Sequence, residues 1–319
     1  PLISIPTLLF WLFILGILDA GMKHIENGRD ETGLDRGDLF ESKGTLIELP
    51  VGNLPLPHGE DYESYIIYEA FEMAWYDLLG QHLGVPVWHL LGGKLVDKVL
   101  IDYWMGRCTP EATAERTRIA VDSGFHGVKM KCALGDPIAE RVRAVRDVAP
   151  SFSVVLDPNE RFEDPEGALL VSKSLEDFDE VLFESPVPQD RIDWYVQLRR
   201  EIPQKIALHL TSIHHLLPAL KADAAHAYNL LGPLKPFVDW ATLCRQAGCP
   251  TWRGTGMDLG VRDMSSVHAA AAAGCTLPSD IIGHLLREDD LLEKPIQFED
   301  GALVVPDLPG LGIRLDREA

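Results

Sequence analysis

The feature that most constrains the fold is a series of short apolar segments that recurs along the chain after Lys98. Eight segments have the length and composition of buried strands, at 99–104, 127–131, 153–157, 180–184, 205–209, 225–229, 250–254 and 280–284. Helical patterns lie between them, and three of these begin with a capping residue followed by proline, at Thr109-Pro110, Asp136-Pro137 and Asp164-Pro165. Eight alternating strand and helix units predict a parallel sheet that closes into a barrel.

The N-terminal end of the chain carries a different signal, an almost wholly apolar run from Leu2 to Leu18. A membrane-spanning helix needs about 20 such residues, so this run is at the lower limit. Pro6 interrupts it and no basic flank precedes it, which is unlike an anchor or a signal segment. We therefore expect a buried packing segment and no association with a membrane. Further along, Tyr62–Leu79 has the spacing of a long amphipathic helix.

Charge and cysteine content narrow the classes of partner and compartment. The chain has 49 acidic against 29 basic residues, and no cluster of Lys and Arg that would follow a phosphate backbone. We therefore expect no nucleic-acid partner. The 5 cysteines are widely spaced and include no Cys-X-X-Cys pair, which favours a reducing cytoplasm and argues against a cysteine zinc site.

Charged side chains stand at the ends of consecutive predicted strands. Asp157, Glu184 and His209 close the third, fourth and fifth segments. The active site of a parallel barrel lies at the carboxyl ends of its strands. One acidic residue after a strand is commonly a turn or cap residue, but three successive ends with oxygen or nitrogen donors suit a divalent cation. We predict that these three residues bind a metal ion.

Two lysines end the second segment, in Gly127-Val-Lys-Met-Lys131. Lys129 and Lys131 are two apart in a strand and leave the same face, so they point either to solvent or together into the barrel. An inward position beside a metal would allow proton abstraction next to a substrate carboxylate. Lys131 would be the base, because Lys129 and the metal lower the proton affinity of its amine.

The chain resembles the enolase superfamily, in the branch of mandelate racemase, muconate lactonizing enzyme and glucarate dehydratase. The matching motifs cover about residues 65–316 and are AWYDLLGQHLGVPVWHLLGG, GVKMK, LDPNERF, FESPVP, SVHAAAA and DGALVVPDLPGLGIRLD. Their joint order is more specific than any single motif. The sequences LLGQHLGVPV, LDPN and VPDLPGLGIRLD are most similar to glucarate dehydratase.

This resemblance implies a modified (β/α)7β barrel of the α/β class, formed by residues 96–299. An α+β capping domain would comprise residues 1–95, completed by 300–319. It also implies that Asp157 and Glu184 bind Mg²⁺ and that Lys131 is the base of the Lys-X-Lys motif. The expected activity is that of an acid-sugar dehydratase acting on a small carboxylate, and we expect a homo-oligomer.

Three departures from the family pattern affect these expectations. His209 replaces an oxygen ligand, which makes Mn²⁺ or another divalent metal plausible beside Mg²⁺. Asp258 stands where two-base members have a histidine, and Asn229 stands near the aspartate that supports it. A two-base racemase is thus disfavoured, and Asp258 is a candidate catalytic residue. A paralogue that binds a metal or sugar acid without turnover, or a one-base epimerase, remains the alternative.

Three further residues are candidates for substrate binding. Asn159 follows the predicted metal ligand Asp157. Arg253 has the charge to bind a distal carboxylate, although an ordinary ion pair at the barrel rim is the alternative. His214 lies just beyond the fifth segment and either lines the site or begins the next helix as a solvated residue.

Overall fold

The computed structural model describes residues 62–256, 258–283 and 286–316. The apolar run Leu2–Leu18 and most of the predicted capping domain lie outside these residues. Within the described ranges, no helix combines the length and the hydrophobicity needed to cross a bilayer.

Helices and strands alternate through most of the described chain. The helices are α1 Tyr62–Leu83, α2 Val87–Leu90, α3 Pro110–Asp122, α4 Ile138–Val148, α5 Pro165–Ser174, α6 Ile192–Glu201, α7 Ile213–Lys221, α8 Leu234–Gln246 and α9 Gly260–Ala273. The strands are β1 Lys98–Leu100, β2 Tyr103–Met105, β3 Gly127–Lys131, β4 Ser153–Asp157, β5 Val181–Glu184, β6 Lys205–Leu210, β7 Ala227–Leu230, β8 Thr251–Arg253, β9 Phe298–Glu299 and β10 Ala302–Val304.

Strands β2 to β8 form a 7-stranded parallel sheet in sequential order, with a helix between each pair from β2 onward. Residues of β3 to β8 that point toward the helices, such as Val128, Leu156 and Phe183, are fully buried in one large core. This is the parallel barrel expected from the strand periodicity, in the modified form that the family resemblance implies. Six of the predicted strands, from 127–131 to 250–254, are confirmed within two residues at either end.

The first and the last predicted strands need correction. Segment 99–104 divides into β1 and β2, because β1 leaves the barrel to pair with β10 in another sheet. Of segment 280–284, the described residues 280–283 do not form a strand; instead Ser279 makes a single parallel bridge to Ile101. The amide of Ser279 donates to Leu100 O at 2.7 Å and that of Asp280 to Arg253 O at 2.9 Å. These bonds place Ser279 and Asp280 in the eighth position, between β8 and the start of β2.

A second layer combines both ends of the described chain, as expected for an α+β capping unit. Strands β1, β10 and β9 form an antiparallel sheet in that order. The C-terminal segment packs on α1 and α2, since Val87 N donates to Gly310 O at 2.9 Å and Leu311 N to Asp77 Oδ1 at 2.7 Å. The exact boundaries at 95 and 300 stay a prediction.

Two of the three predicted helix caps are confirmed. The hydroxyl of Thr109 accepts from Ala112 N at 3.3 Å, and the carboxylate of Asp164 accepts from Gly167 N at 2.9 Å. The third, Asp136, makes no cap bond to α4, because its carboxylate pairs with Arg107 at 2.7 Å instead.

Helix α1 is joined to the barrel by two buried glutamates. Glu69 pairs with Arg253 at 2.7 Å and with Arg262 at 2.5 Å. Glu72 accepts hydrogen bonds from the amides of Leu234 and Lys235 at the start of α8. Burial raises the pKa of Glu72 to about 7, although these amides oppose the shift. These contacts fix α1 beside the carboxyl ends of β7 and β8.

Candidate active site

The two lysines of β3 point into the barrel. β3 and β4 pair in register, with Lys129 opposite Val155 and Lys131 opposite Asp157. Lys129 is only 5% exposed. Of the two orientations that the sequence allowed, the structure thus has the inward one.

Lys129 is the centre of a group of carboxylates. Its Nζ lies 2.8 Å from both Glu184 Oε2 and Asp280 Oδ2, and 3.2 Å from Asp157 Oδ2. Burial favours the neutral amine, but the carboxylates of Asp280, Glu184 and Asp157 prevail and raise the pKa of Lys129 well above its usual value. Lys129 is therefore a fixed cation that holds the ends of β4 and β5 and the eighth position together.

Lys131 lies two residues after Lys129, at the carboxyl end of β3. Its Nζ donates to Asp157 Oδ2 at 2.5 Å and to Asn159 Oδ1 at 2.7 Å. Asn159 has a left-handed backbone, with φ of 47°, and its backbone N–H donates to Asp157 Oδ1 at 3.0 Å. This turn brings the carboxamide of Asn159 back over β4, so that Lys131 is held from two sides yet stays partly exposed.

Asn229 and Asp280 also belong to this cluster. Asn229 Nδ2 donates to Glu184 Oε1 at 2.8 Å and to Asp280 Oδ2 at 2.9 Å. From the sequence, Asn229 stood out only as a departure from a family dyad, and Asp280 was not predicted to belong to the site. The signal for Asp280 was its place at the start of the eighth apolar segment, where an inward carboxylate is unusual.

His209 completes the cluster on the side of β6. Its Nδ1 lies 3.7 Å from Glu184 Oε1. Burial, with Lys129, lowers the pKa of His209 to about 4, so its imidazole is neutral at physiological pH. A neutral imidazole retains a nitrogen lone pair for a cation.

The carboxyl groups respond differently to this environment. Burial opposes ionisation of Asp157, but Lys129 and Lys131 outweigh it and lower the pKa of Asp157. Burial raises the pKa of Glu184, and the neighbouring Asp157 and Asp280 add to this effect against Lys129. Asp157 is therefore the stronger anion of the pair, and Glu184 is the carboxyl group that gains most from an added cation.

Several buried polar atoms at the centre have no hydrogen bond to any residue that the structure describes. These atoms are Glu184 Oε2, His209 Nε2 and Asn229 Oδ1. Glu184 Oε2 is near Lys129 Nζ, but is not aligned for a hydrogen bond. A Cβ on Gly254 would lie 2.4 Å from Asn229 Oδ1 and 3.2 Å from His209 Nε2, so this glycine leaves the space next to both atoms open.

These donors fit a divalent cation in their chemistry. Two carboxylates, an imidazole nitrogen and an amide oxygen are ordinary ligands of such ions. Among the described residues, however, no three His, Cys, Asp or Glu side chains are already arranged around one point. The ammonium of Lys129 lies between the carboxylates instead, so an ion at Asp157, Glu184 and His209 would require Lys129 to shift.

Three other predicted site residues have contacts outside the cluster. Arg253 is fully buried and pairs with Glu69, so the structure shows the alternative of an ion pair instead of a free guanidinium for substrate. Asp258 pairs with Arg262 at 2.7 Å. His214 is exposed in the first turn of α7, after Ser212, whose hydroxyl accepts from His214 N at 3.2 Å. Arg253 and Asp258 are thus held in ion pairs and His214 is exposed, and the roles predicted for these three residues stay predictions.

Comparison with known proteins shows the family to which this chain belongs. A model of the family described as Enolase C-terminal domain-like matches residues 112–319. The chain belongs to the enolase superfamily. The match covers β3 to β8 and hence all the charged strand ends of the cluster.

Curated relatives of this superfamily member carry several activities. Muconate cycloisomerase 1 of Rhodococcus opacus is 27% identical over 78% of this chain and 70% of its own length. N-succinylamino acid racemase of Thermus thermophilus is 28% identical over 77% of this chain and 68% of its own length. Probable glucarate dehydratase of Streptomyces coelicolor is 26% identical over 91% of this chain and 71% of its own length.

Solved structures support the same fold. An enolase from Thermobispora bispora, complexed with magnesium and formate, aligns with a TM-score of 0.71 and 27% identity, over 79% of this chain and 66% of that one. N-succinyl Arg/Lys racemase of Bacillus cereus aligns with a TM-score of 0.74 and 23% identity, over 79% of this chain and 70% of that one.

Proposed function

We propose that this protein is a metal-dependent acid-sugar dehydratase, which removes the proton next to a substrate carboxylate and then eliminates water. The observation that supports this proposal best is the position of Lys131. Its amine is partly exposed at the carboxyl end of β3 and is held by Asp157 and Asn159. A base at this place has a fixed direction, and substrate has access to it from the carboxyl end of the barrel.

Asp157, Glu184 and His209 would hold the metal ion, and Asn229 Oδ1 is within reach of the same space. Mg²⁺ is the expected ion, and Mn²⁺ is compatible with the imidazole. When bound, the ion would neutralise the negative charge that develops on the substrate carboxylate. Its binding would free Lys129 from the carboxylates, so that this ammonium can bind the substrate carboxylate as well.

In the proposed reaction, Lys131 takes the proton from the carbon next to the carboxylate. The electron pair of that C–H bond forms a double bond to the carboxylate carbon, and then shifts to the neighbouring carbon as its hydroxyl leaves. The departing hydroxide takes a proton, which Lys131 now carries, and becomes water. The enol product tautomerises to a 2-keto-3-deoxy acid, so that atoms and charge balance with one base.

The relatives support the parts of this proposal to different degrees. The name of the Streptomyces coelicolor relative, a probable glucarate dehydratase, supports a sugar acid and the loss of water. The cycloisomerase and racemase names support a small carboxylate substrate but a different outcome. Magnesium and formate in the Thermobispora bispora structure support a divalent metal beside a carboxylate. A cytoplasmic homo-oligomer remains part of this proposal.

A library of aldonates and aldarates tests the reaction. Purified protein with Mg²⁺ or Mn²⁺ is incubated with each acid, and the 2-keto-3-deoxy product is measured. Lys131→Met should remove turnover, whereas Lys173→Met, at an exposed position of α5, is the matched control and should retain it. Product formation by Lys131→Met at the wild-type rate would exclude Lys131 as the base.

A second candidate is a paralogue that binds a metal or sugar acid without turnover, or a one-base epimerase. The pairing of Asp258 with Arg262 favours it, since Asp258 stands in place of the usual second base and its carboxylate is already held in this ion pair. Metal binding with no product from any acid of the library would support the non-catalytic form. Epimer formation without loss of water would support the epimerase.

A further inference from the structure

A cavity of about 580 Å³ lies at the amino ends of the barrel strands, on the side opposite the expected substrate entrance. Its lining includes Ser153, Val181, Lys205 and Ala227, which are the first residues of β4, β5, β6 and β7. We call it the N-terminal cavity. At its inner end the cavity is bounded by Lys129, Glu184 and Asp280, which it approaches from the amino ends of the strands.

Small inward side chains create this space. The interior of such a barrel is usually filled by layers of bulky branched side chains. Here Ser153 and Ala227 line the cavity from the amino ends of β4 and β7. The inward Val155 and Leu182 are only partly buried, whereas their neighbours Leu156 and Phe183 on the helix side are fully buried. The cavity is thus built into the barrel core.

Asp102 is the group that indicates a ligand. It lies between β1 and β2, lines the cavity, and is only 7% exposed. Within the described part of the chain, no hydrogen bond or ion pair reaches its carboxylate, and Asp280 and Lys129 act on it only electrostatically. Burial, together with the charge of Asp280, raises the pKa of Asp102 to about 7 against the effect of Lys129, so its ionised form lacks the stabilisation that a bound cation would supply. A Cβ on Gly127 would lie 2.3 Å from Asp102 Oδ1, so the glycine leaves room for this side chain.

The remaining walls define the chemistry of that ligand. Trp252, Leu182, Leu277 and Phe178 give apolar and aromatic contacts. Acidic groups outnumber basic ones along the lining, with Asp102, Glu176, Asp179, Glu180, Glu184 and Asp280 against Lys129, Lys205 and His226. The volume lies within the roughly 300–1,000 Å³ of small-molecule sites. An apolar pocket with an excess of negative charge is complementary to an amphipathic cation.

We propose that the N-terminal cavity binds a small organic cation with an apolar body, whose ammonium group pairs with the carboxylate of Asp102. The apolar body lies against the side of the cavity lined by Trp252 and Leu277, and the ammonium lies in the cavity beside Asp102. The entrance of the cavity is at the amino ends of the strands, opposite the one proposed for the acid-sugar substrate, and only its inner end adjoins Lys129 and Glu184 of the proposed reaction site. Its occupation does not require a metal ion.

Calorimetric titration with phenylbutylamine tests the proposal, with phenylbutanol as the neutral analogue and phenylbutyrate as the anion. The amine should bind with one-to-one stoichiometry, and the alcohol about 30-fold more weakly, because a buried charge pair is lost. Asp102→Asn should weaken binding of the amine by a similar factor of roughly 30. Asp147→Asn, at an exposed position of α4, makes the same charge change and should bind as wild type does.

Ala227→Leu provides a second variant that keeps every charge. Its larger side chain narrows the cavity and should reduce binding of the amine by about 10-fold or more. Circular dichroism and thermal unfolding establish that each variant is folded before titration. Absence of saturable binding to the wild type, equal binding to folded Asp102→Asn, or equal affinity for amine, alcohol and anion would each overturn the proposal.

Discussion

Replacing Lys129 by methionine removes the cation that holds three carboxyl groups together in the barrel. Its Nζ is 2.8 Å from Glu184 and from Asp280, and 3.2 Å from Asp157. At an effective dielectric constant of about 20, each such contact is worth about 6 kcal/mol before desolvation. The desolvation of the buried ammonium takes back several kcal/mol, so the net loss should be about 3–5 kcal/mol.

Thermal unfolding in the absence of divalent metal measures this loss. At roughly 2 °C per kcal/mol for a chain of this size, the midpoint should fall by about 6–10 °C. Lys173→Met, which removes an exposed lysine, should stay within about 0.5 kcal/mol of wild type. In the Lys129→Met variant, added Mg²⁺ should raise the midpoint more than in wild type, because it replaces the lost positive charge.

Two results would refute this reasoning. An unfolding midpoint of Lys129→Met equal to that of wild type would mean that the carboxylates are not held by Lys129. An equal effect of Mg²⁺ on both proteins would mean that the metal does not bind beside these carboxylates.

Other predictions concern the contacts around the site. Burial raises the pKa of Glu72 from its unfolded value of about 4.5 to about 7, so its contribution to the free energy of unfolding is present below pH 4.5 and is lost as the pH rises through 7. The wild-type free energy of unfolding should therefore decline by about 3 kcal/mol across that range, and Glu72→Gln should remove this decline. Urea titration at several pH values measures it. Glu69→Gln should lower the free energy of unfolding by about 3–5 kcal/mol, because it breaks the buried pair with Arg253, but should leave the KM for an active acid unchanged. A large rise in KM would support a role of Arg253 in substrate binding. Gly254→Ala should displace Asn229 and lower kcat up to roughly 100-fold, with a stability loss of only about 1–3 kcal/mol; unchanged kcat would place Asn229 outside the site.

The strand and helix order of the barrel was predictable from the sequence because each element carries its own signal. Segments such as 153–157 are short and apolar, and Pro150 before this one and Asp164-Pro165 after it mark the boundaries of the flanking helices. The eighth position was not predictable in this way. Ser279 and Asp280 take it through two backbone hydrogen bonds, which depend on the closed barrel and not on local propensity.

The candidate site was predictable where charges stand at strand ends. Lys129, Lys131, Asp157 and Glu184 follow from that pattern, and the structure brings them together. Arg253 carried the same kind of signal, but its side chain leaves β8 toward α1. The partner that draws it there, Glu69, lies 184 positions away in the chain, and only the tertiary structure reveals it.

Exchange of the substrate proton with solvent tests the central claim most directly. An active acid is incubated in heavy water with Mg²⁺, and deuterium next to the carboxylate is followed by NMR in wild type, Lys131→Met and Lys173→Met. We predict exchange or product formation from one configuration only, lost in Lys131→Met and retained in Lys173→Met. Exchange that persists in folded, metal-binding Lys131→Met, or that occurs at both configurations, would contradict a mechanism with Lys131 as the single base.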